Sequence, residues 1–308
     1  MVAVLVIAGV ATRRWTAAVL DLPAIRNWTT VFLAVCVQAL PFLALGVATS
    51  GLLAAFLPPD ALVRVLPGRA ALAVPAAALA GGFLPGCECG SVPIAARLVR
   101  RGAPAASALA FLLAAPAINP IVLVATSVAF PGQPRMVLAR FSASLLAAVV
   151  VGLVWARWGR VELAGAGTDP AIEPGHRLAA FFDTALHDTV HAGGFLVLGG
   201  MTAATLQSVV PRSFLDHLAR SGPLAVVTLG LLAVLIAICS EADAFVAASM
   251  VQFSLTARLA FLVVGPMVDV KLIALQAGTF GRRFTVRFAP LTFLVALGSA
   301  VLVGWLLL

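Results

Sequence analysis

Long uncharged apolar runs alternate with short polar breaks along the whole chain. Residues 31–57, 70–87, 102–134, 192–211, 221–240 and 288–308 carry no charge, and 141–156 is a shorter run of the same kind. Residues 259–281 match them except for Asp269 and Lys271. A helix needs about 20 such residues to cross the hydrocarbon core of a bilayer. The pattern therefore predicts an all-α polytopic membrane protein of about eight transmembrane helices. Trp15, Trp28, Trp155, Trp158 and Trp305 fall at or near segment ends, where indole rings favour the membrane–water interface.

Composition points the same way. Of 308 residues, 62% are hydrophobic and 10% charged, with a mean hydropathy of +1.10. A soluble domain is about half apolar and a quarter charged. The chain cannot cover a water-facing surface, which excludes a cytosolic enzyme, a disordered protein and a nucleic-acid module. The net charge of +8 is carried by arginines, with Lys271 the one lysine. They sit singly or in pairs between apolar runs, as at Arg64, Arg69, Arg97, Arg100, Arg101, Arg135 and Arg140, and read as interfacial loop residues. No nucleic-acid partner is expected; the expected surroundings are membrane lipid.

The stretch 158–188 collects Gly, Pro and charge and reads as a linker. It divides the chain into an amino-terminal segment (1–30), a first transmembrane repeat (31–157), the linker (158–188) and a second repeat (189–308). The halves resemble each other. A shift of 150 residues lays Leu109-Ala110-Phe111-Leu112 on Leu259-Ala260-Phe261-Leu262, Pro116 on Pro266, Asn119 on Asp269 and Cys89 on Cys239. A shift of 153 lays Phe42-Leu43 on Phe195-Leu196 and Gly46 on Gly199. Internal repeats with broken helices are a common build of secondary transporters, with the site between the repeats. Whether these run parallel or inverted depends on whether each break is a span or a re-entrant hairpin, and arginines on nearly every loop leave that open.

Three breaks carry chemistry. Pro85-Gly86-Cys87-Glu88-Cys89-Gly90-Ser91-Val92-Pro93 places a carboxylate between two thiols inside an apolar segment. Irregular backbone at membrane depth persists only against protein or a water-filled cavity. Thiolates select soft ions, and the carboxylate adds negative charge. The matching place in the second half is Cys239-Ser240-Glu241-Ala242-Asp243. The third pair is Pro116 with Asn119 against Pro266 with Asp269 and Lys271. Asp269 and Lys271 point to different faces of a regular helix, but can approach each other around an unwound proline. Intramembrane ionisable residues usually line a pathway. The expected cargo site is therefore Cys87, Glu88, Cys89, Pro116, Asn119, Cys239, Glu241, Asp243, Pro266, Asp269 and Lys271, with Cys87, Glu88, Cys89 and Cys239 as metal ligands. A weaker constellation, Asp183, His187 and His191, has a spacing that can bind zinc, but beside an apolar span it reads as an interfacial helix face.

The run Pro85 to Pro93, then Gly102-Ala103-Pro104, then Leu109 to Pro120 with its Pro-Ala-Ile-Asn-Pro segment, resembles the ArsP-type permeases of bacterial inner membranes. The second half is similar to a branch regarded as two-component permeases. The resemblance implies a multi-pass protein of the cytoplasmic membrane, no cofactor, no enzymatic activity and a second membrane subunit as partner. Some members export trivalent organoarsenicals, and zinc-related cargo is associated with the branch. By the resemblance, Cys87, Cys89, Pro116 and Asn119 carry over as motif positions. Glu88 stands where the family often has a small polar residue, which suits a cation better than a neutral organoarsenical. The expected function is movement of a small thiophilic or cationic metal or metalloid species. The alternatives are a membrane-embedded thiol redox protein using Cys87 and Cys89, or a non-transporting subunit.

Overall fold

A computed structural model of the chain describes residues 23–56, 69–83, 88–159, 176–209 and 222–308. Cys87 and Trp15 lie outside the described residues. Among these residues every regular element is a helix: α1 (Pro23–Phe56), α2 (Ala70–Gly81), α3 (Glu88–Arg100), α4 (Ala105–Ile118), α5 (Pro120–Ala129), α6 (Pro134–Trp158), α7 (Arg177–Val209), α8 (Gly222–Ile236), α9 (Asp243–Ser249), α10 (Leu255–Val264), α11 (Val270–Phe280) and α12 (Arg282–Leu307).

The surface is apolar at helical spacing. Leu33, Val37 and Leu40 on α1, Leu178, Phe182, Leu186 and Val190 on α7, and Leu294, Val301 and Leu302 on α12 all point outward. A water-soluble monomer does not present such stripes, and lipid is the solvent that accepts them. Five stretches are long and apolar enough to cross a membrane among the described residues: 25–56, 105–129, 134–158, 178–206 and 282–307. The eight expected spans thus divide differently. The described residues of 70–87, 221–240 and 259–281 lie in the short helices α2, α8, α10 and α11 rather than in single spans. Gly265 and Pro266 interrupt 259–281, and a proline gives up a helical hydrogen bond, while α8 ends at Ile236 just before Ala237, whose φ is 49°.

Side-chain contacts fix the direction of each helix. Gly152, near the end of α6, lies against Val74 on α2 and Ala110 on α4, while Gly81 lies against Phe111 and Ala114. So α2 and α4 run side by side from one end of the bundle, here called proximal, to its middle. From the middle, α3 returns to the proximal end, where Arg101 donates to the Ala54 carbonyl of α1. The α2–α3 pair is a re-entrant hairpin. The second half does the reverse. Gly304 at the end of α12 meets Thr256 at the start of α10, and Gly265 meets Ala233 near the end of α8. Trp155 packs edge-on against Phe284 and Phe288 at the start of α12, with centroids 5.1 and 5.4 Å apart. Hence α12 runs from proximal to distal, α10 starts distally, and the α8–α9 pair enters from the distal end. Trp28 donates to Thr205 at 2.9 Å, so α1 and α7 pack antiparallel.

Two expectations shift with this map. Trp155 is interior rather than interfacial, because it fills the space between α6 and α12; Trp158 and Trp305 do project outward. And α7 starts at Arg177, so residues 177–188 of the expected linker are helical.

Candidate functional site

Four short helices begin at the middle of the bundle, and each begins with an acid or amide. Glu88 opens α3 and Asp243 opens α9, while Asn119 caps α5 and Asp269 caps α11. Asn119 Oδ1 accepts from the Val122 amide at 3.0 Å, and its Nδ2 donates to the Ala115 carbonyl at 3.0 Å. Asp269 Oδ1 accepts from the Leu272 amide. These side chains satisfy amides left open at the starts of α5 and α11, as an N-cap does. The positive helix ends in turn favour carboxylates there. Packing of α3 against α11, and of α5 against α9, brings the four starts together.

The charged side chains form two linked groups. The Lys271 ammonium is ion-paired with Glu88, lies 3.6 Å from Asp269 Oδ2, and reaches Cys239 Sγ at 3.9 Å. Cys89 is within its electrostatic range. Arg140 donates to Asp243 Oδ2 at 2.8 Å, to the Ser240 carbonyl at 3.1 Å and to Thr126 Oγ1 at 2.8 Å. Glu241 is close enough to both groups to interact electrostatically with Glu88, Arg140 and Lys271. Glu88, Asp243, Asp269, Lys271 and Arg140 are each at most 2% exposed. Four carboxylates thus face two cations. Glu88 Oε2, both Glu241 oxygens, Asp243 Oδ1 and Asp269 Oδ2 are buried without a hydrogen-bond partner. Buried polar atoms are nearly always paired, which makes these oxygens the exception in the cluster.

Of the expected site residues, Glu88, Cys89, Cys239, Glu241, Asp243, Asp269 and Lys271 converge. Pro266 is buried in the turn before α11 and Pro116 is buried inside α4, while the hydrogen bonds described for Asn119 run to the neighbouring backbone of Ala115 and Val122. Among the described residues no group of three or more His, Cys, Asp or Glu side chains is close enough to hold a metal ion, so the expected ligands Glu88, Cys89 and Cys239 share the cluster without forming a metal cage. His187 and His191 are stacked, with centroids 5.9 Å apart.

Arg140 escaped the sequence reading. It was grouped with interfacial arginines, yet it is fully buried, as Arg97 and Arg101 nearly are. Its signal was present: it is the only charge between Met136 and Ala156, and an ionised group within a spanning run is a functional signature. The reading also missed the proximal tie in which Ser50 Oγ donates to Asp188 Oδ2 at 2.7 Å and Arg97 Nη2 meets the same oxygen at 3.3 Å.

Re-entrant hairpins from opposite ends, meeting at buried charges inside a lipid-facing helical shell, define a multi-pass membrane protein of the permease class. The comparisons agree and name the family. Residues 24–305 match the ArsP_1 family model, described as predicted permease, and the chain belongs to that family. It is 33% identical over 289 residues to UPF0718 protein YcgR of Bacillus subtilis (strain 168), covering 90% of this chain and 95% of that protein. It is 30% identical over 282 residues to a protein of Streptococcus mutans serotype c (strain ATCC 700610 / UA159) named as a putative two-component membrane permease complex subunit, covering 89% and 94%. No solved structure matches the chain.

Proposed function

We propose that this permease carries a small thiophilic or cationic metal or metalloid species across the cytoplasmic membrane, and that it acts as a carrier rather than an enzyme. The observation that carries the reading is Lys271. Its ammonium stands among Glu88, Asp269, Cys239 and Cys89, a mixed set of oxygen and sulfur donors suited to a borderline or soft cation. The lysine acts as a tethered substitute for the cargo. It neutralises the empty site, so that a permease without cargo does not hold bare carboxylates in a low-dielectric interior. A cation entering the site displaces the ammonium and takes up the unpartnered oxygens of Glu88, Glu241 and Asp269.

The opposed hairpins support carriage by alternating access. The sequence correspondence between the halves, with helices running in opposite senses, fits an inverted duplication. The fit is incomplete in a useful way. The α1–α7 pair packs on α3 and α11, through Gly46 against Gly90 and Gly199 against Lys271. Exchanging the roles of the halves gives a second state with α1 on α5 and α7 on α9. A second membrane subunit, as the name of the Streptococcus relative implies for that protein, is compatible with this arrangement.

Equilibrium dialysis of the purified protein against zinc, copper(I), arsenite and methylarsenite tests the site. Binding of one of them, lost in Glu241→Gln, is expected. Absence of binding by all four contradicts the reading and favours a non-transporting subunit or the thiol redox alternative.

A further inference from the structure

We propose that Arg140 is a positioning residue of the central site, holding the Glu241 carboxylate where a cation can reach it. The inference rests on the reading of Glu241 as a cargo ligand and adds how that ligand is placed. Residues 237–242 carry Cys239 and Glu241 and link α8 to α9 without helical structure. Ala237 opens the link with φ 49°, a left-handed conformation that a side chain disfavours. Irregular backbone at membrane depth persists only where something satisfies it, so this link needs an anchor.

Glu241 does not hold itself. Both its carboxylate oxygens are buried without a hydrogen-bond partner, so its place is set by the chain on either side. Within the link, the Cys239 carbonyl accepts from the Ala242 and Asp243 amides at 2.9 and 3.1 Å. That closes a turn but does not attach it to the bundle. Arg140 makes the attachment. Its Nη2 donates to the Ser240 carbonyl at 3.1 Å and to Asp243 Oδ2 at 2.8 Å, gripping the residue before Glu241 and the second residue after it. Lys271 also reaches the link, at 3.9 Å from Cys239 Sγ, but in the cargo reading that contact is the one a cation displaces.

The anchor is rooted in the first half of the chain. Arg140 Nη1 donates to Thr126 Oγ1 at 2.8 Å, and Thr126 Oγ1 donates to the Val122 carbonyl at 2.7 Å. The Val122 amide donates in turn to Asn119 Oδ1 at 3.0 Å. One chain of polar contacts therefore runs from the start of α5 to the α8–α9 link, through Asn119, Thr126 and Arg140, all fully buried. A guanidinium suits this place because its rigid fork presents donors in two directions, towards α5 and towards the link. A lysine ammonium keeps the charge but loses the fork.

Arg140→Lys in the purified full chain tests the anchor. Thr126→Val, which leaves Arg140 and Asp243 in place, carries the same test if the lysine variant does not fold. The first readout is alkylation by N-ethylmaleimide, followed by peptide mass spectrometry, at Cys239 and at Cys89 on α3, both buried. Alkylation of Cys239 is expected to quicken about tenfold in Arg140→Lys and less in Thr126→Val, with Cys89 unchanged. The second readout is equilibrium dialysis against zinc, copper(I), arsenite and methylarsenite. An affinity weakened about tenfold, with the number of sites per chain unchanged, is expected. Fewer sites at unchanged affinity is what a merely structural role produces, and it overturns the proposal. Alkylation that is unchanged in both variants, or that rises equally at Cys89, overturns it too. Alkylation needs no cargo, so selective exposure of Cys239 without binding of any of the four supports the anchor and overturns the cargo reading alone.

Discussion

Lys271 is the side chain on which the central site turns. Its removal leaves Glu88 and Asp269 facing each other without a counter-charge. Breaking a buried pair from one side costs about 3–5 kcal/mol. Lys271→Met is therefore expected to lower the melting midpoint sharply, and Lys271→Met with Glu88→Gln to recover part of the loss. The cargo reading adds a stricter expectation: the cation that binds the native chain restores the midpoint of Lys271→Met, since binding to the folded state alone stabilises it. A Lys271→Met chain that melts like the native one shows that the ion pair does not matter. Arg140 makes a parallel case. Arg140→Met strands Asp243 and frees the Ser240 carbonyl and Thr126, and a loss of similar size is expected in the same assay.

The short helices explain how much of this could be read from the sequence. The breaks before α5 and α11 were legible because Pro120 and Pro266 fall within apolar runs, and proline acts through local backbone chemistry. The acids beside the breaks were legible because a charge in such a run is costly. Direction was not legible. A 12-residue helix that turns back and one that continues across have the same composition, and only contacts such as Gly152 with Val74 distinguish them. Arg140 was misread for a related reason: it follows Arg135 closely and looks like the tail of an interfacial loop. The hairpin assignment makes its own prediction. Cysteines placed at Arg69 and Gly102 flank α2–α3 and should react with an impermeant maleimide from the same side of the membrane, while cysteines at Gly132 and Val251 react from the opposite side. Labelling of Arg69→Cys and Gly102→Cys from opposite sides would make α2 and α3 one broken span.

At the scale of the whole molecule, the α1–α7 pair packs unevenly on the rest of the bundle. Gly46 closes on Gly90, and Gly199 on Lys271, so the antiparallel α1–α7 pair rests on the proximal half of the bundle. By the correspondence between the halves, the exchanged state sets Gly46 near Ile121 and Gly199 near Ser240. Spin labels at Leu45 and Val124, both on outward faces, should show two separations whose populations shift when cargo is added. One separation, unchanged by every cargo offered, argues against exchange. Small residues at the contacts fit such a movement, because backbones packed through glycine carry few interlocking side chains.

The central claim is that buried carboxylates and thiols at the meeting point of the hairpins carry a cation across the membrane. Flux into proteoliposomes containing only this chain tests it directly, with zinc, copper(I), arsenite and methylarsenite offered in turn. The account predicts saturable accumulation of one of the four, reduced at least about tenfold in Glu241→Gln, while that variant keeps its melting midpoint because glutamine preserves the side chain's shape and removes one of four crowded acids. No flux of any of the four by the folded native chain, or equal flux by Glu241→Gln, would contradict it.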